Sequence, residues 1–103
     1  MKQLLTRKYF VYQLEHANQF VITSGSKKIF QSYKSVCAIY DTESFTLTLG
    51  RDWDYSNTTL RHLYLFIDRV CNSYALGLPY HPKKKDIQKA IDKGAIAYDE
   101  ELR

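Results

Sequence analysis

The chain has 103 residues and a formal net charge of +4, with 15 lysines and arginines against 11 acidic residues. A chain of this length forms one domain around a single core, which excludes an elaborate active site beside a separate binding domain. Two cysteines are too few for a disulfide scaffold, and a polar N-terminal segment without a long apolar run predicts a soluble intracellular protein.

The N-terminal part of the chain predicts a strand and a hairpin. Residues 9–14 are rich in aromatic and β-branched side chains, which favours a strand, and a polar break follows at residues 15–18. Residues 19–33 contain two β-type runs separated by Gly25, and glycine accepts the positive φ that a tight turn requires. These residues therefore predict a β-hairpin.

Two further strands follow the hairpin. Residues 36–40 are apolar throughout, which is typical of a strand in the middle of a sheet. Residues 45–49 alternate between apolar and polar side chains. The alternation predicts that Phe45, Leu47 and Leu49 face the core.

The second half of the chain contains a helical pattern at residues 57–76. Ser56 or Asn57 is suited to cap its start, and Gly77 followed by Pro79 marks its end. The apolar residues that recur at spacings of three and four are Leu60, Leu63, Tyr64, Ile67, Cys71, Tyr74 and Ala75.

Apolar residues beyond this stripe predict a second contact for the helix. Leu65, Phe66 and Val70 widen the apolar face, so we expect either the C-terminal element or a second copy in a homodimer to cover them. Residues 83–93 predict a short second helix, and residues 95–98 a short strand or a packed tail. The fold class is therefore α+β: a small antiparallel sheet of four to five strands, one long helix and a short C-terminal helix.

Few residues offer chemistry. Asp52, Asp54 and His62 are the nearest approach to a divalent-cation site, although acidic residues before a helix are also favoured by its positive end. Cys37 and Cys71 lie in apolar patterns and predict buried thiols, with a disulfide between them as the alternative. The sequence has no glycine-rich phosphate loop and no nucleophile elbow. It therefore predicts a protein that is not an enzyme and holds no cofactor or metal.

Basic residues beside aromatic ones predict nucleic-acid binding as one class of function, since phosphates contact lysines and bases stack on rings. A solvated surface is the alternative explanation. The candidate residues lie in the hairpin and after the long helix: Lys27, Lys28, Lys34, Tyr80, Lys83, Lys84 and Lys85.

Three stretches resemble a known group of proteins. They are Phe30-Gln31-Ser32-Tyr33, Leu47-Thr48-Leu49-Gly50, and the run from Asp52-Trp53-Asp54-Tyr55-Ser56 through Thr58-Thr59 to Tyr64. Together they resemble a family of small uncharacterised proteins encoded by phages and plasmids of Gram-positive bacteria, over residues 28–67. The resemblance implies a setting in the cytoplasm of a bacterial host, and it implies neither an activity nor site residues.

The aromatic run also offers a surface for a partner. Trp53 and Tyr55 are suited to close the end of the sheet, and if exposed they would anchor a partner together with Arg61 and Tyr33. We therefore predict an accessory protein that binds and inhibits a host or defence protein, as anti-CRISPR proteins do. A small nucleic-acid-binding module is the alternative.

Overall fold

The computed structural model of the chain describes residues 10–15 and 17–103. Tyr9, the predicted start of the first strand, lies outside these residues, as do the N-terminal segment 1–8 and His16. The described residues form six strands: β1 (Phe10–Gln13), β2 (Gln19–Ser24), β3 (Lys27–Ser32), β4 (Ser35–Asp41), β5 (Thr46–Gly50) and β6 (Ala97–Asp99).

The six strands form one sheet in the order β1-β2-β3-β4-β5-β6. Each strand from β1 to β5 pairs antiparallel with the next, whereas β6 pairs parallel with β5. The prediction of a purely antiparallel sheet of four to five strands is therefore wrong in strand number and in direction. The physical reason is the long connection between β5 and β6. It returns the chain to the end of the sheet at which β5 begins, so β6 runs in the same direction as β5.

Two helices lie in this connection: α1 (Asn57–Val70) and α2 (Lys84–Lys93). The predicted helix over residues 57–76 is too long, because Cys71 is already extended with ψ at 156°. Asn72 then starts a turn in which its side chain accepts from Ala75 N at 3.1 Å, a local bond that competes with helix. Leu76 is nevertheless buried, so the apolar spacing correctly indicated burial but not helical backbone.

The core lies between one face of the sheet, here called the inner face, and the two helices. Phe30 of β3 stacks on Phe66 of α1 with ring centres 5.7 Å apart, and Ile87 of α2 is buried in the same core. Phe66 is buried in this core, and Leu65 and Val70 are partly buried against it. Part of the additional apolar face of α1 is therefore buried within the chain, and a second copy as its cover stays a prediction.

One predicted core residue lies outside the core. Phe45 is half exposed and has a φ of 58°, in the turn before β5 begins. Leu47 and Leu49 are buried as predicted. The alternating pattern thus begins one residue later than the sequence indicated, because the turn takes Phe45 out of the strand.

Neither α1 nor α2, the helices of the described residues, is long and apolar enough to cross a membrane.

Candidate functional site

A cleft of about 720 Å³ opens where α1 leaves the sheet, and we call it the Tyr33–Tyr55 cleft. The β3–β4 turn forms one side, and the segment before α1 with the first helical turn forms the other. The residues that line it are Asn18, Ser32, Tyr33, Lys34, Ser35, Cys37, Asp52, Tyr55, Ser56, Thr58 and Thr59. The cleft therefore joins parts of the chain that are distant in sequence.

Hydroxyl groups bonded to one another form the floor of the cleft. Ser32 Oγ lies 3.1 Å from Thr59 Oγ1, and Ser56 Oγ donates to the same Thr59 oxygen at 3.2 Å. Ser56 also caps α1, because its Oγ accepts from Thr59 N at 3.1 Å, which confirms the predicted start of the helix. Beside them Ser35 Oγ donates to Asp52 Oδ2 at 3.0 Å. The floor is therefore polar, and its hydroxyl groups form hydrogen bonds within the cleft.

Two tyrosines stand at the rim. Tyr55 is 79% exposed and Tyr33 is 52% exposed. Tyr33 has a φ of 56°, a left-handed conformation that is uncommon for a residue with a side chain. Hydrogen bonds hold its backbone on both sides, since Tyr33 N donates to Asn18 O at 2.6 Å and its carbonyl accepts from Gln31 Nε2 at 2.8 Å. The Tyr33 ring is thus presented to solvent from a fixed backbone.

Charge in the cleft is balanced. Lys34 is exposed at the turn, and Asp52 contributes a partly buried carboxylate. A ligand for this cleft therefore needs neither a strong positive nor a strong negative charge. Polar hydrogen bonding and contact with the two tyrosine rings would provide most of the interaction.

The Cys37 thiol at the base of the cleft is not activated. Its sulfur donates to Asp52 O at 3.5 Å, and burial raises the pKa of the thiol to about 11. Burial also raises the pKa of the Cys71 thiol well above its ordinary value. Both cysteines are free, so the alternative of a disulfide between them is wrong. Because the thiolate is the nucleophilic form, neither residue is suited to covalent catalysis.

The structure separates the other candidates from this site. Trp53 is 4% exposed and belongs to the core, so its ring closes the end of the sheet and offers no surface to a partner. Arg61 is exposed on α1 but does not line the cleft. Of the partner surface predicted from Trp53, Tyr55, Arg61 and Tyr33, the two tyrosines line the cleft, and a role for Arg61 in binding stays a prediction.

Asp52, Asp54 and His62 make separate contacts. Asp54 Oδ2 lies 3.5 Å from Lys84 Nζ, and His62 Nδ1 lies 2.8 Å from the carbonyl oxygen of Thr58. Within residues 10–15 and 17–103, no three histidine, cysteine or acidic side chains come together as metal ligands would. Asp52 therefore contacts the start of β4, His62 contacts the first turn of α1, and Asp54 contacts the start of α2.

A second concave surface, of about 760 Å³, lies along α2, and we call it the lysine surface. Its residues are Tyr64, Lys83, Lys84, Lys85, Gln88, Lys89 and Asp92. Four lysines and one aspartate give it an excess of positive charge. Sequence reasoning missed Lys89 and Tyr64, although the i, i+4 spacing of Lys85 and Lys89 on a helix was a signal that could have found the former.

The remaining basic candidates do not form one patch. Lys27 pairs with Asp41 at 3.3 Å, and Lys28 Nζ donates to Thr23 Oγ1 at 3.1 Å. Lys34 lies beyond the opposite end of β3, in the cleft. Tyr80 is exposed and packs against the His81 ring, with centres 3.8 Å apart, and it does not line the lysine surface.

The fold and the cleft define a small two-layer α+β domain whose concave surfaces lie at the start of one helix and along the other. The chain belongs to a family of unknown function, DUF8033, whose model matches residues 6–89. This match is wider than the predicted resemblance over residues 28–67, and it includes the whole cleft and all four lysines of the lysine surface. No curated protein and no solved structure matches the chain significantly.

Proposed function

We propose that this protein acts by binding a host or defence protein, whose activity it inhibits, and that the Tyr33–Tyr55 cleft receives an exposed segment of that partner. The observation that supports this proposal is the pair of exposed tyrosine rings above a floor of bonded hydroxyls. Tyrosine is enriched at binding hot spots, because its ring contributes apolar contact area and its hydroxyl retains a hydrogen bond.

Rigidity of the cleft favours binding. Tyr33 is held by backbone hydrogen bonds on both sides, and Tyr55 N donates to Asp52 O at 3.2 Å, so the backbone of both rim residues is ordered before a partner arrives. Preorganised contacts cost less conformational entropy on association. The inhibitory part of the proposal comes from the resemblance to phage and plasmid proteins.

The experiment is affinity capture of the tagged protein from a lysate of a Gram-positive host, with and without nuclease treatment. The test variant is Tyr33→Ala/Tyr55→Ala, and the matched control is Tyr74→Ala, which removes a tyrosine that is 93% exposed outside the cleft. We expect one protein to be retained by the wild type and by the control, and to bind the double variant at least about tenfold more weakly. Equal retention by all three would contradict the proposal.

Inhibition is tested on the captured protein itself. Its activity is measured against increasing concentrations of the wild type and of the double variant. We expect the wild type to inhibit at concentrations near the binding constant and the double variant to require at least about ten times more. Binding without any loss of activity would retain the binding proposal and refute the inhibitory one.

A second candidate function is single-stranded nucleic-acid binding through the lysine surface. The specific observation in its favour is that Lys89 joins Lys83, Lys84 and Lys85 around one concavity that also contains the Tyr64 ring. Of these lysines, Lys84 is paired with Asp54. Cations near an aromatic ring are suited to phosphate contacts and base stacking.

Fluorescence anisotropy with a labelled single-stranded oligonucleotide tests this candidate across a range of salt concentrations. Lys85→Gln/Lys89→Gln should weaken binding and reduce the slope of log K against log salt by about 0.7 for each lost phosphate contact. Lys93→Gln, on the same helix but outside the lysine surface, is the matched control. An affinity that is independent of salt would exclude this function.

A further inference from the structure

The sheet face turned away from both helices, here called the outer face, carries a row of side chains across the six strands that is apolar except at Thr48. Strand alternation and register place the same-face neighbours in one line: Val11, Ile22, Ile29, Ile39, Thr48 and Ala97. Phe20 and Val36 extend the apolar area toward the β3–β4 turn. None of these residues belongs to the buried core or packs against it.

We propose that the outer face is the contact surface for a second copy of this chain. The two copies pack sheet against sheet around a two-fold axis that runs parallel to the strands and passes between β3 and β4. An isologous contact of this kind uses the same patch on both copies, and aligned packing of two sheets about 10 Å apart is a common arrangement.

Charge complementarity favours this occupant. Lys27 of β3 and Asp41 of β4 are cross-strand neighbours at one end of the outer face, where they form an ion pair at 3.3 Å. A two-fold axis between these strands places β3 of one copy over β4 of the other. Lys27 then faces Asp41 of the second copy, and Ile29 faces Ile39 of the second copy. A single symmetric arrangement therefore places opposite charges against each other and apolar residues against each other.

The composition of the outer face argues against a nucleic acid as its occupant. Its central positions are aliphatic, and among the described strands Phe20 is the one aromatic residue of this face. Lys27 is the one basic residue of this face in these strands, and it is already paired with Asp41. Stacking on bases requires aromatic rings, and phosphate contacts require unpaired cations.

The size of the outer face predicts a reversible dimer. Six strands span about 24 Å, and the rows from Lys27 to Gln31 span about 13 Å along the strands. Two such faces have a combined planar area of roughly 620 Å², which is below the size of a standard interface and fits a weak, transient one. We therefore expect a dissociation constant in the micromolar range.

The arrangement has a consequence for the Tyr33–Tyr55 cleft, which shares no residue with the outer face. Because the axis runs parallel to the strands, the β3–β4 turns of both copies lie at the same end of the dimer. Two clefts side by side would allow bivalent attachment to a repeated or symmetric partner. The dimer itself is tested without any partner, so its failure is distinguishable from failure of the proposed function.

Sedimentation equilibrium of the purified chain over a wide range of concentrations tests the dimer. We expect a monomer–dimer equilibrium for the wild type and at least about a hundredfold weaker association for Ile29→Lys, because a charge at the centre of an apolar contact must be desolvated. Ala75→Lys adds the same charge at an exposed position after α1 and should leave the equilibrium unchanged. A monomer at millimolar concentration, or a dimer that Ile29→Lys leaves intact, would overturn the proposal.

Charge complementation tests the position of the axis. Lys27→Glu places acidic groups opposite Asp41 of the second copy, and Asp41→Lys places basic groups opposite Lys27 of the second copy, so each variant alone should dimerise at least about tenfold more weakly. An equimolar mixture of the two should dimerise as well as the wild type, since attractive pairs re-form between the copies although each chain has lost its internal pair. A mixture that stays monomeric would refute this arrangement.

Discussion

Ser32 Oγ and Thr59 Oγ1 lie 3.1 Å apart in a buried contact that joins the end of β3 to the first turn of α1. The two residues are 27 positions apart in sequence. The Thr59 hydroxyl accepts from Ser56 Oγ, so its own proton remains available for Ser32. This chain of hydroxyls fixes the helix start against the sheet and thereby positions Tyr33 and Tyr55 on either side of the cleft.

Removing the Thr59 hydroxyl should destabilise the protein. Thr59→Val keeps the side-chain shape but leaves the buried Ser32 hydroxyl without its partner, and we expect the free energy of unfolding to fall by about 1–3 kcal/mol. Urea denaturation measures this change, with Thr46→Val at an exposed strand position as the control. Ser32→Ala combined with Thr59→Val should cost less than the sum of the single changes, because the two residues share one bond. Additive costs would contradict a direct interaction.

The two aromatic residues of the Trp-Asp-Tyr run should differ in their effect on stability. Trp53→Ala removes a buried ring from the core and should lower the free energy of unfolding by about 3–5 kcal/mol. Tyr55→Ala should change it by less than about 0.5 kcal/mol, since its side chain is mostly exposed. Thermal unfolding of both variants measures the contrast. A large loss for Tyr55→Ala would assign that ring to the core in solution.

Gln19 should be a source of instability. It is fully buried on the inner face, and neither its Nε2 nor its Oε1 has a hydrogen-bond partner among the described residues. Gln19→Met keeps the length of the side chain and removes the unsatisfied amide, so we expect the free energy of unfolding to rise by about 1 kcal/mol.

The comparison variant for Gln19 is Gln31→Met. The Gln31 amide donates to Tyr33 O, and Gln31→Met removes this hydrogen bond. The change should therefore lower the free energy of unfolding, whereas Gln19→Met should raise it. Chemical denaturation of the two variants under one set of conditions should give changes in the free energy of unfolding of opposite sign. A destabilised Gln19→Met would show that the amide is satisfied in solution.

Gly50 should be intolerant of a side chain. A Cβ at this position would collide with the carbonyl oxygen of Leu102 and would lie 2.9 Å from that of Val36. Gly50→Ala should therefore lower the free energy of unfolding by about 1–3 kcal/mol. Deleting residues 102 and 103 removes one of the two collisions, so the same substitution should cost less in the shortened chain. An equal cost in both chains would exclude the Leu102 contact as the cause.

Alkaline pH should weaken the fold through Cys37. Burial raises the pKa of its thiol from 9.0 to about 11, so the folded chain holds this proton over a range in which the unfolded chain has released it. The contribution to stability is complete below pH 9 and is lost as the pH rises toward 11, by up to about 3 kcal/mol. Urea denaturation at pH 8 and pH 10.5 should show a smaller decrease for Cys37→Ala than for the wild type. Identical decreases would contradict the shift.

Local patterns were sufficient for most of the secondary structure. Alternation identified the inward positions of β5, and the capping preference of serine identified the start of α1, because both depend on neighbouring residues alone. The end of α1 was missed, since apolar spacing continues to the buried Leu76 while the Asn72 turn has already ended the helix. Phe45 was misplaced for a similar reason, because its turn conformation interrupts the alternating pattern.

The cleft could be predicted only in part. Tyr33 and Tyr55 were assigned to one partner surface from their aromatic character, whereas Lys34 was assigned to the nucleic-acid candidates from its charge. Nothing local relates the β3–β4 turn to the segment before α1. Strand pairing brings Ser32 to the sheet end at which α1 begins, and the hydroxyl contact with Thr59 then closes the floor.

The sequence by itself determined the strands β1 to β5, the start of α1 and the α+β class, because these depend on short-range periodicity, capping and composition. The tertiary structure alone decided that β6 returns parallel to β5, that Trp53 is buried, that the hairpin lysines lie apart and that aliphatic residues of β1 to β4 share one row of the outer face. These features depend on register between distant segments, and register is set by the packing of the whole sheet against its helices.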